Sequence, residues 1–261
     1  MQHKIKGIVV RETATGESDK LLTVLTETMG TITVRAPGVR KLSAANLRSA
    51  QLFAFSDLLL YEKEGRFTLR ESVLREDFYA IREDVTACAL GCYLCEVASS
   101  VSIGGDEGTE ILRLLLNALY AAEKHIADPQ IVKAAFEFRL AALIGYEPDF
   151  TECPICGTPA DEMKRRIFEL TDGYLFCAHC ENPVEGYSKR ALVSDAAYAA
   201  LKHILSAPVN KVFLFRLDEP ALKETAKLCE DYLLLRVDKQ MKTLDFYKKS
   251  LQTGDHSPSK Q

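Results

Sequence analysis

Over roughly the first 75 residues, apolar residues fall in short runs of strand length that are rich in β-branched residues or, as at 31–36, alternate with polar ones. Residues 4–12, 20–28 and 31–36 are three such runs, separated by a polar loop centred on Gly16 and by the Met29-Gly30 turn. Pro37-Gly38 ends the third. Two further runs, 52–63 and 66–75, meet at Glu64-Gly65. Five short strands in so few residues predict a small closed barrel, and the five-stranded solution found most often is the OB-fold. After Asp77 the period changes to 3.6, and residues 84–102, 108–126 and 129–145 each read as a helix. Asp128-Pro129 supplies an N-cap followed by proline at the first helical position, and Gly145 supplies a C-terminal cap. Helical spacing resumes over about 189–206 and 219–250. The tail from Thr253 is polar and reads as disordered.

Between the two helical stretches lie Cys153-Pro154-Ile155-Cys156 and Cys177-Ala178-His179-Cys180, with twenty residues between the pairs. Two Cys-x2-Cys knuckles at this separation are the pattern of a four-thiolate zinc ribbon. Four sulfurs fill a tetrahedron and leave no position for a reacting ligand, so a zinc ion held here is structural. A disulfide or a redox Cys-x2-Cys is the competing explanation. Asp172-Gly173, flanked by 165–170 and 173–177, is a hairpin signal that fits a ribbon. The fold class expected is therefore α+β and multidomain. It has an OB-fold barrel over 1–79, a helical domain over 80–150 and 184–250, an inserted ribbon over 151–183, and a disordered tail over 251–261.

At 261 residues the chain is long enough for two domains, and 47% hydrophobic with 27% charged residues is a soluble globular composition. No apolar run approaches the ~20 residues that span a bilayer, and the first residues lack a signal-peptide core. Eight cysteines, four in metal spacing and four in helical contexts, suit a reducing cytoplasm. The net charge of −4 argues against a protein that coats nucleic acid over its whole surface, but not against a local basic patch.

Such a patch exists. Residues 28–56 contain no Asp or Glu and carry Arg35, Arg40, Lys41 and Arg48. Cationic loops at the mouth of a five-stranded barrel suit phosphate contact with single strands; an ordinary solvated loop is the plainer alternative. Phe53, Phe55, Tyr61 and Phe67 lie nearby as stacking candidates. Both parities of 52–63 are apolar, so the pattern does not say which face is core, and most of these rings are expected to be core. Cys88, Cys92 and Cys95 have the spacing of an iron–sulfur triad but lie within a helical pattern, which makes them three buried thiols. Lys164-Arg165-Arg166 fits a phosphate contact or a solvated strand edge equally well. Arg236, Lys239 and Lys242 give the last helix a basic edge. No Ser/His/Asp grouping, histidine pair or phosphate-binding glycine loop is present, which weakens any enzyme reading.

The order of parts resembles the bacterial recombination mediator family RecO. The resemblance is carried by Gly7 through Arg11, Gly16 through Thr23, Gly38-Val39-Arg40-Lys41, Leu58 through Glu62, Tyr232-Leu233 and Lys242 through Phe246, and spans residues 4–248. It implies an OB-fold, a helical domain and, in many members, an embedded ribbon. It also implies a non-enzymatic activity: binding single- and double-stranded DNA, annealing complementary strands, associating with RecR, and recognising the acidic C-terminal tail of single-stranded DNA-binding protein (SSB) so that the recombinase loads. On this resemblance Arg35, Arg40 and Lys41 fall at the basic OB positions, and Cys153, Cys156, Cys177 and Cys180 at the ribbon. The tail is expected on the helical domain, with Lys133 and Arg139 of the 129–145 helix as candidate cations. The implied location is the bacterial cytoplasm, with the nucleoid. The net acidity departs from the more basic members. An RNA- or transcription-associated protein with the same two modules is the other reading of the residues.

Overall fold

A computed structural model describes residues 1–102, 104–180, 189–237 and 239–254. The chain divides into two compact units: residues 1–124 together with the chain from Gln240 onward, and residues 125–239.

The first unit contains the barrel. Its strands are β1 (Gln2–Thr15), β2 (Asp19–Thr26), β3 (Thr31–Ala36), β4 (Phe55–Lys63) and β5 (Arg66–Glu76). They close in the order β1-β2-β3-β5-β4, with every pair antiparallel except β3–β5. That parallel contact, Val34 beside Phe67 and Arg35 beside Thr68, closes the ring and leaves no open edge. Bulges between Val9 and Arg11 and between Leu59 and Leu60 bend the long strands round the barrel. Val9, Leu22, Val24, Val34, Leu58, Leu60 and Leu69 fill the interior.

The ambiguous parity of residues 52–63 is thereby resolved. Ser56, Leu58 and Leu60 face inward, while Phe55, Asp57, Leu59 and Tyr61 remain half-buried. The strand begins at Phe55 rather than residue 52 because Phe53 adopts a left-handed backbone (φ 68°), held by hydrogen bonds from its own N–H to the Val9 carbonyl (2.8 Å) and from the Val9 N–H to the Ala54 carbonyl (3.0 Å). The Phe53 ring packs against the bare backbone of Gly91, where an added Cβ would meet the ring at 3.0 Å.

Three helices complete this unit: α1 (Val85–Val101), α2 (Gly105–Glu123) and, numbered in chain order beyond the helices of the second unit, α6 (Lys242–Gly254). Asp84 caps α1 by accepting the Ala87 N–H. The Glu96 carboxylate of α1 accepts the N–H and hydroxyl of Thr243 at the start of α6. Cys88, Cys92 and Cys95 all lie on α1. Cys95 is buried, but Cys88 and Cys92 are only half-buried, a partial correction to the expectation of three core thiols. Burial first, and the neighbouring Cys88 second, push Cys92 up to about 12, and burial pushes Cys95 well above the ordinary thiol range. All three lie along one helix rather than in a loop that could wrap a cluster, and burial disfavours the thiolate at Cys92 and Cys95.

The second unit is built from α3 (Pro129–Leu143), α4 (Asp195–Ser206) and α5 (Glu219–Leu234), with a sheet of β6 (Arg166–Glu169), β7 (Tyr174–Cys177) and β8 (Arg190–Val193) in the order β7-β6-β8. Asp128, Ser194 and Asp218 cap the helices. Phe138, Phe150, Phe168 and Tyr232 form an aromatic core with centroids 5.1–6.3 Å apart. Gly173 makes the expected hairpin turn (φ 81°) directly beneath Tyr232; a Cβ there would lie 2.6 Å from the tyrosine oxygen.

Two elements differ from the pattern reading. Residues 190–193, expected at the start of a helix, form the third ribbon strand, and the helix begins only after the Ser194 cap. The long helix expected over 219–250 is broken between Leu234 and Lys242. There the Arg236 guanidinium donates to the Tyr232 carbonyl (2.7 Å) and the Thr171 carbonyl (2.8 Å) while lying 3.6 Å over the Tyr232 ring. That arrangement satisfies the end of α5 and removes Arg236 from any exposed basic edge. Of the tail expected to be disordered from residue 251, residues 251–254 are the last turn of α6, and 255–261 lie outside the described residues.

Candidate nucleic-acid interface and metal centre

The acid-free stretch forms the connection from β3 to β4, and it is a tethered chain of turns rather than a loose loop. Successive turns are closed by N–H donation from Lys41 to Gly38 O (3.2 Å), Ala44 to Lys41 O (2.9 Å), Leu47 to Ala44 O (3.1 Å) and Ala50 to Asn46 O (3.1 Å). Val39 and Ala50 are plugged into the barrel core. The Arg40 N–H donates to Ser18 O (3.0 Å), the Lys20 ammonium to Ala50 O (3.2 Å), and Asn46 joins the Arg70 carbonyl (3.1 Å) to the Ser72 hydroxyl (2.7 Å).

Asp19 organises one end of this connection. Its carboxylate accepts the Gly38 N–H (2.8 Å) and pairs with Arg35 (2.8 Å). The Gly38 N–H first, and Arg35 second, hold its carboxyl below the usual range. At the other end Arg48 pairs with Asp77 at 2.6 Å and lowers that carboxyl in the same way. The four expected DNA-binding cations therefore separate into two kinds. Arg35 and Arg48 are exposed but already paired. The Arg40 guanidinium donates to the Gly16 carbonyl (3.1 Å), and no described carboxylate lies within ion-pair distance of Arg40 or Lys41. The uncompensated positive charge is concentrated at one tip, Arg40-Lys41. Sequence reasoning missed Asp19, because nothing local couples it to residues sixteen and nineteen positions on.

Of the candidate stacking rings, Phe53 is buried and Phe67 packs on the barrel core. Tyr61 is half-exposed, on the outward face of β4, with the Arg70 guanidinium 5.2 Å from its centroid.

The two cations expected to meet an acidic peptide are both engaged within the protein. Lys133 is buried, with its ammonium 2.8 Å from a Glu137 oxygen and 2.8 Å from a Glu230 oxygen. Those carboxylates keep its pKa above the ordinary value although burial, the largest influence, works the other way. Arg139 donates to the carbonyls of Ile204 and Leu205 at the end of α4. Lys133 is thereby corrected from a surface cation to the centre of a buried ion triad. In Lys164-Arg165-Arg166 the first two side chains are exposed, while Arg166 is buried, bonded to Ala160 O (2.9 Å), paired with Asp195 and stacked on Tyr198 at 4.3 Å.

The four knuckle cysteines converge. Their sulfurs all lie within 4.8 Å of one another, and Cys156 and Cys177 are 3.6 Å apart. Four thiolates about 2.3 Å from a shared zinc sit about 3.8 Å from one another, so the cage has the size the ion needs. Two of the donors, Cys153 and Cys156, are also primed for ionisation. The hydroxyl of Thr158 and then its backbone N–H stabilise the Cys156 thiolate, which falls to about 6. Burial opposes ionisation of Cys153, but the N–H groups of Cys177, Cys156 and Ile155 outweigh it. Cys180 is pushed up to about 12 by burial and by the sulfurs around it, the expected response of a fourth thiol crowded by thiolate neighbours. Among the described residues no other group of three or more metal-ligating side chains comes together. His179 is not one of the gathered donors.

No helix among the described residues is long and apolar enough to cross a membrane. The family model for the N-terminal part of recombination protein O matches residues 1–78, and the model for its C-terminal part matches residues 82–245. Proteins named DNA repair protein RecO are similar over nearly their whole lengths. That of Acetivibrio thermocellus is 29% identical, over 94% of this chain and 96% of the relative. That of Caldicellulosiruptor bescii is 28% identical over 94% and 97%, and that of Alkaliphilus metalliredigens 26% identical over 90% and 94%. With an OB-type barrel, a helical region and a four-cysteine cluster in the matching order, the chain belongs to the RecO family of DNA repair and recombination proteins.

Proposed function

We propose that this protein is a non-enzymatic recombination mediator. It binds single- and double-stranded DNA, anneals complementary strands and, with RecR and SSB, helps load the recombinase on SSB-coated DNA in the bacterial cytoplasm. The observation that carries the reading is the unpaired Arg40-Lys41 tip on a tethered barrel connection free of acids. Two complementary strands repel as polyanions, while their pairing is favourable by about 1.4 kcal/mol per stacked step. A protein that neutralises a few phosphates on each strand lowers the encounter barrier and needs no nucleotide cofactor. Tyr61, half-exposed beside Arg70, adds a sequence-blind stacking surface. Cys153, Cys156, Cys177 and Cys180 hold one Zn2+ whose role is to fold the ribbon.

Titrating the protein into labelled single-stranded DNA and RNA of the same sequence, then mixing naked complementary DNA strands, tests the reading. Binding to DNA with faster annealing supports it. A marked preference for RNA without acceleration assigns the modules to RNA instead.

A further inference from the structure

Leu42 is the most exposed large hydrophobic side chain among the described residues, at 94%. It follows Arg40 and Lys41 directly and stands on a fixed base. Val39, three residues earlier, is 1% exposed in the barrel core, and the turn that carries Leu42 is closed by the Ala44 N–H on Lys41 O at 2.9 Å. An apolar side chain held out into water beside two unpaired cations calls for a partner that is both polyanionic and apolar-faced. Nucleic acid has that combination, with phosphates outside and base faces within.

We propose that Leu42 is a base-contacting wedge. Arg40 and Lys41 hold adjacent phosphates, and Leu42 is inserted against the bases of the same strand, loosening their stacking. This rests on the DNA-binding reading and goes beyond it by assigning base contact to a residue that carries no charge. Loosened stacking presents Watson–Crick edges to an incoming strand, which links the wedge to annealing.

The test is a single-stranded oligonucleotide containing 2-aminopurine, whose fluorescence rises on unstacking, titrated with wild-type protein, L42A, L42F and R40A/K41A. Leu42 faces solvent, so unchanged melting temperatures for the Leu42 variants are the folding control. Wild type is expected to raise the fluorescence. L42A loses the rise and about tenfold in affinity with the salt dependence intact, and L42F restores both. If R40A/K41A flattens the salt dependence but L42A matches wild type in affinity and fluorescence, the wedge is overturned and the DNA reading stands. If R40A/K41A leaves the salt dependence untouched, the DNA reading at this connection fails, and the wedge with it. If L42A abolishes flotation with anionic phosphatidylserine vesicles while DNA binding is unchanged, the tip serves a lipid surface and the wedge is overturned.

Discussion

Removing the two unpaired cations should weaken DNA binding in a way that removing the two paired ones does not. Each phosphate neutralised on a single strand contributes about 0.7 to the slope of log affinity against log salt. R40A/K41A removes two such contacts and should flatten the slope by about 1.4 units. Between 50 and 200 mM salt that amounts to about sevenfold less loss of affinity than wild type shows. In R35A/R48A the lost cations were already held by Asp19 and Asp77, at 2.8 and 2.6 Å. A phosphate would have to displace those carboxylates, so the slope should fall by well under one unit. The carboxyls of Asp19 and Asp77 lie below the ordinary 3.8 in the folded protein. The stability from these pairs is therefore fully present above pH 3.8 and lost only as pH falls through the lower folded values, so both pairs are intact at neutral pH. Anisotropy of a labelled oligothymidine, repeated across the salt series, measures all three slopes. An unchanged slope in R40A/K41A, or an equal loss in R35A/R48A, would refute the division into free and paired cations.

The purified protein should carry one zinc per chain by elemental analysis, and C153S should lose the metal and melt earlier; a metal-free wild type with full stability would exclude a structural ion. K133M strands Glu137 and Glu230 without their buried cation and should cost about 3–5 kcal/mol in denaturant unfolding. Because the folded pKa of Lys133 lies above 10.5, its contribution is complete below that pH and lost only in stronger alkali, so a fall in wild-type stability between pH 8 and 10 would not come from this triad. G173A forces a side chain into a left-handed position and displaces the Tyr232 hydroxyl from its 3.0 Å bond to the Tyr146 carbonyl. A loss of about 2 kcal/mol is expected, seen as a melting point lower by about 4–8 °C, whereas an unchanged melting point would show the turn to be tolerant.

The features legible in the sequence were those whose cause is local. Short runs bounded by turn residues marked all five barrel strands to within three residues at either end, and the knuckle spacing marked the four-cysteine cluster before any sulfur was placed. What escaped depended on partners far along the chain. The short run 190–193 is apolar enough for either state and becomes a strand only by pairing with β6. Nothing resembling a glycine or proline stop marks the end of α5; the break there comes with Arg236 stacking on Tyr232 and reaching Thr171. Lys133 looked like a surface cation because its second carboxylate lies ninety-seven residues away. The same distance effect hid the neutralisation of Arg35 and Arg48, so charge counting located the basic stretch but not the part of it that is free.

The most direct test of mediator function is annealing of two complementary strands, each coated with cognate SSB, with and without this protein and without nucleotide. Acceleration that weakens when the acidic tail of SSB is deleted is the expected result. Failure to accelerate on coated and naked strands alike would contradict the mediator role, whatever the protein's affinity for DNA.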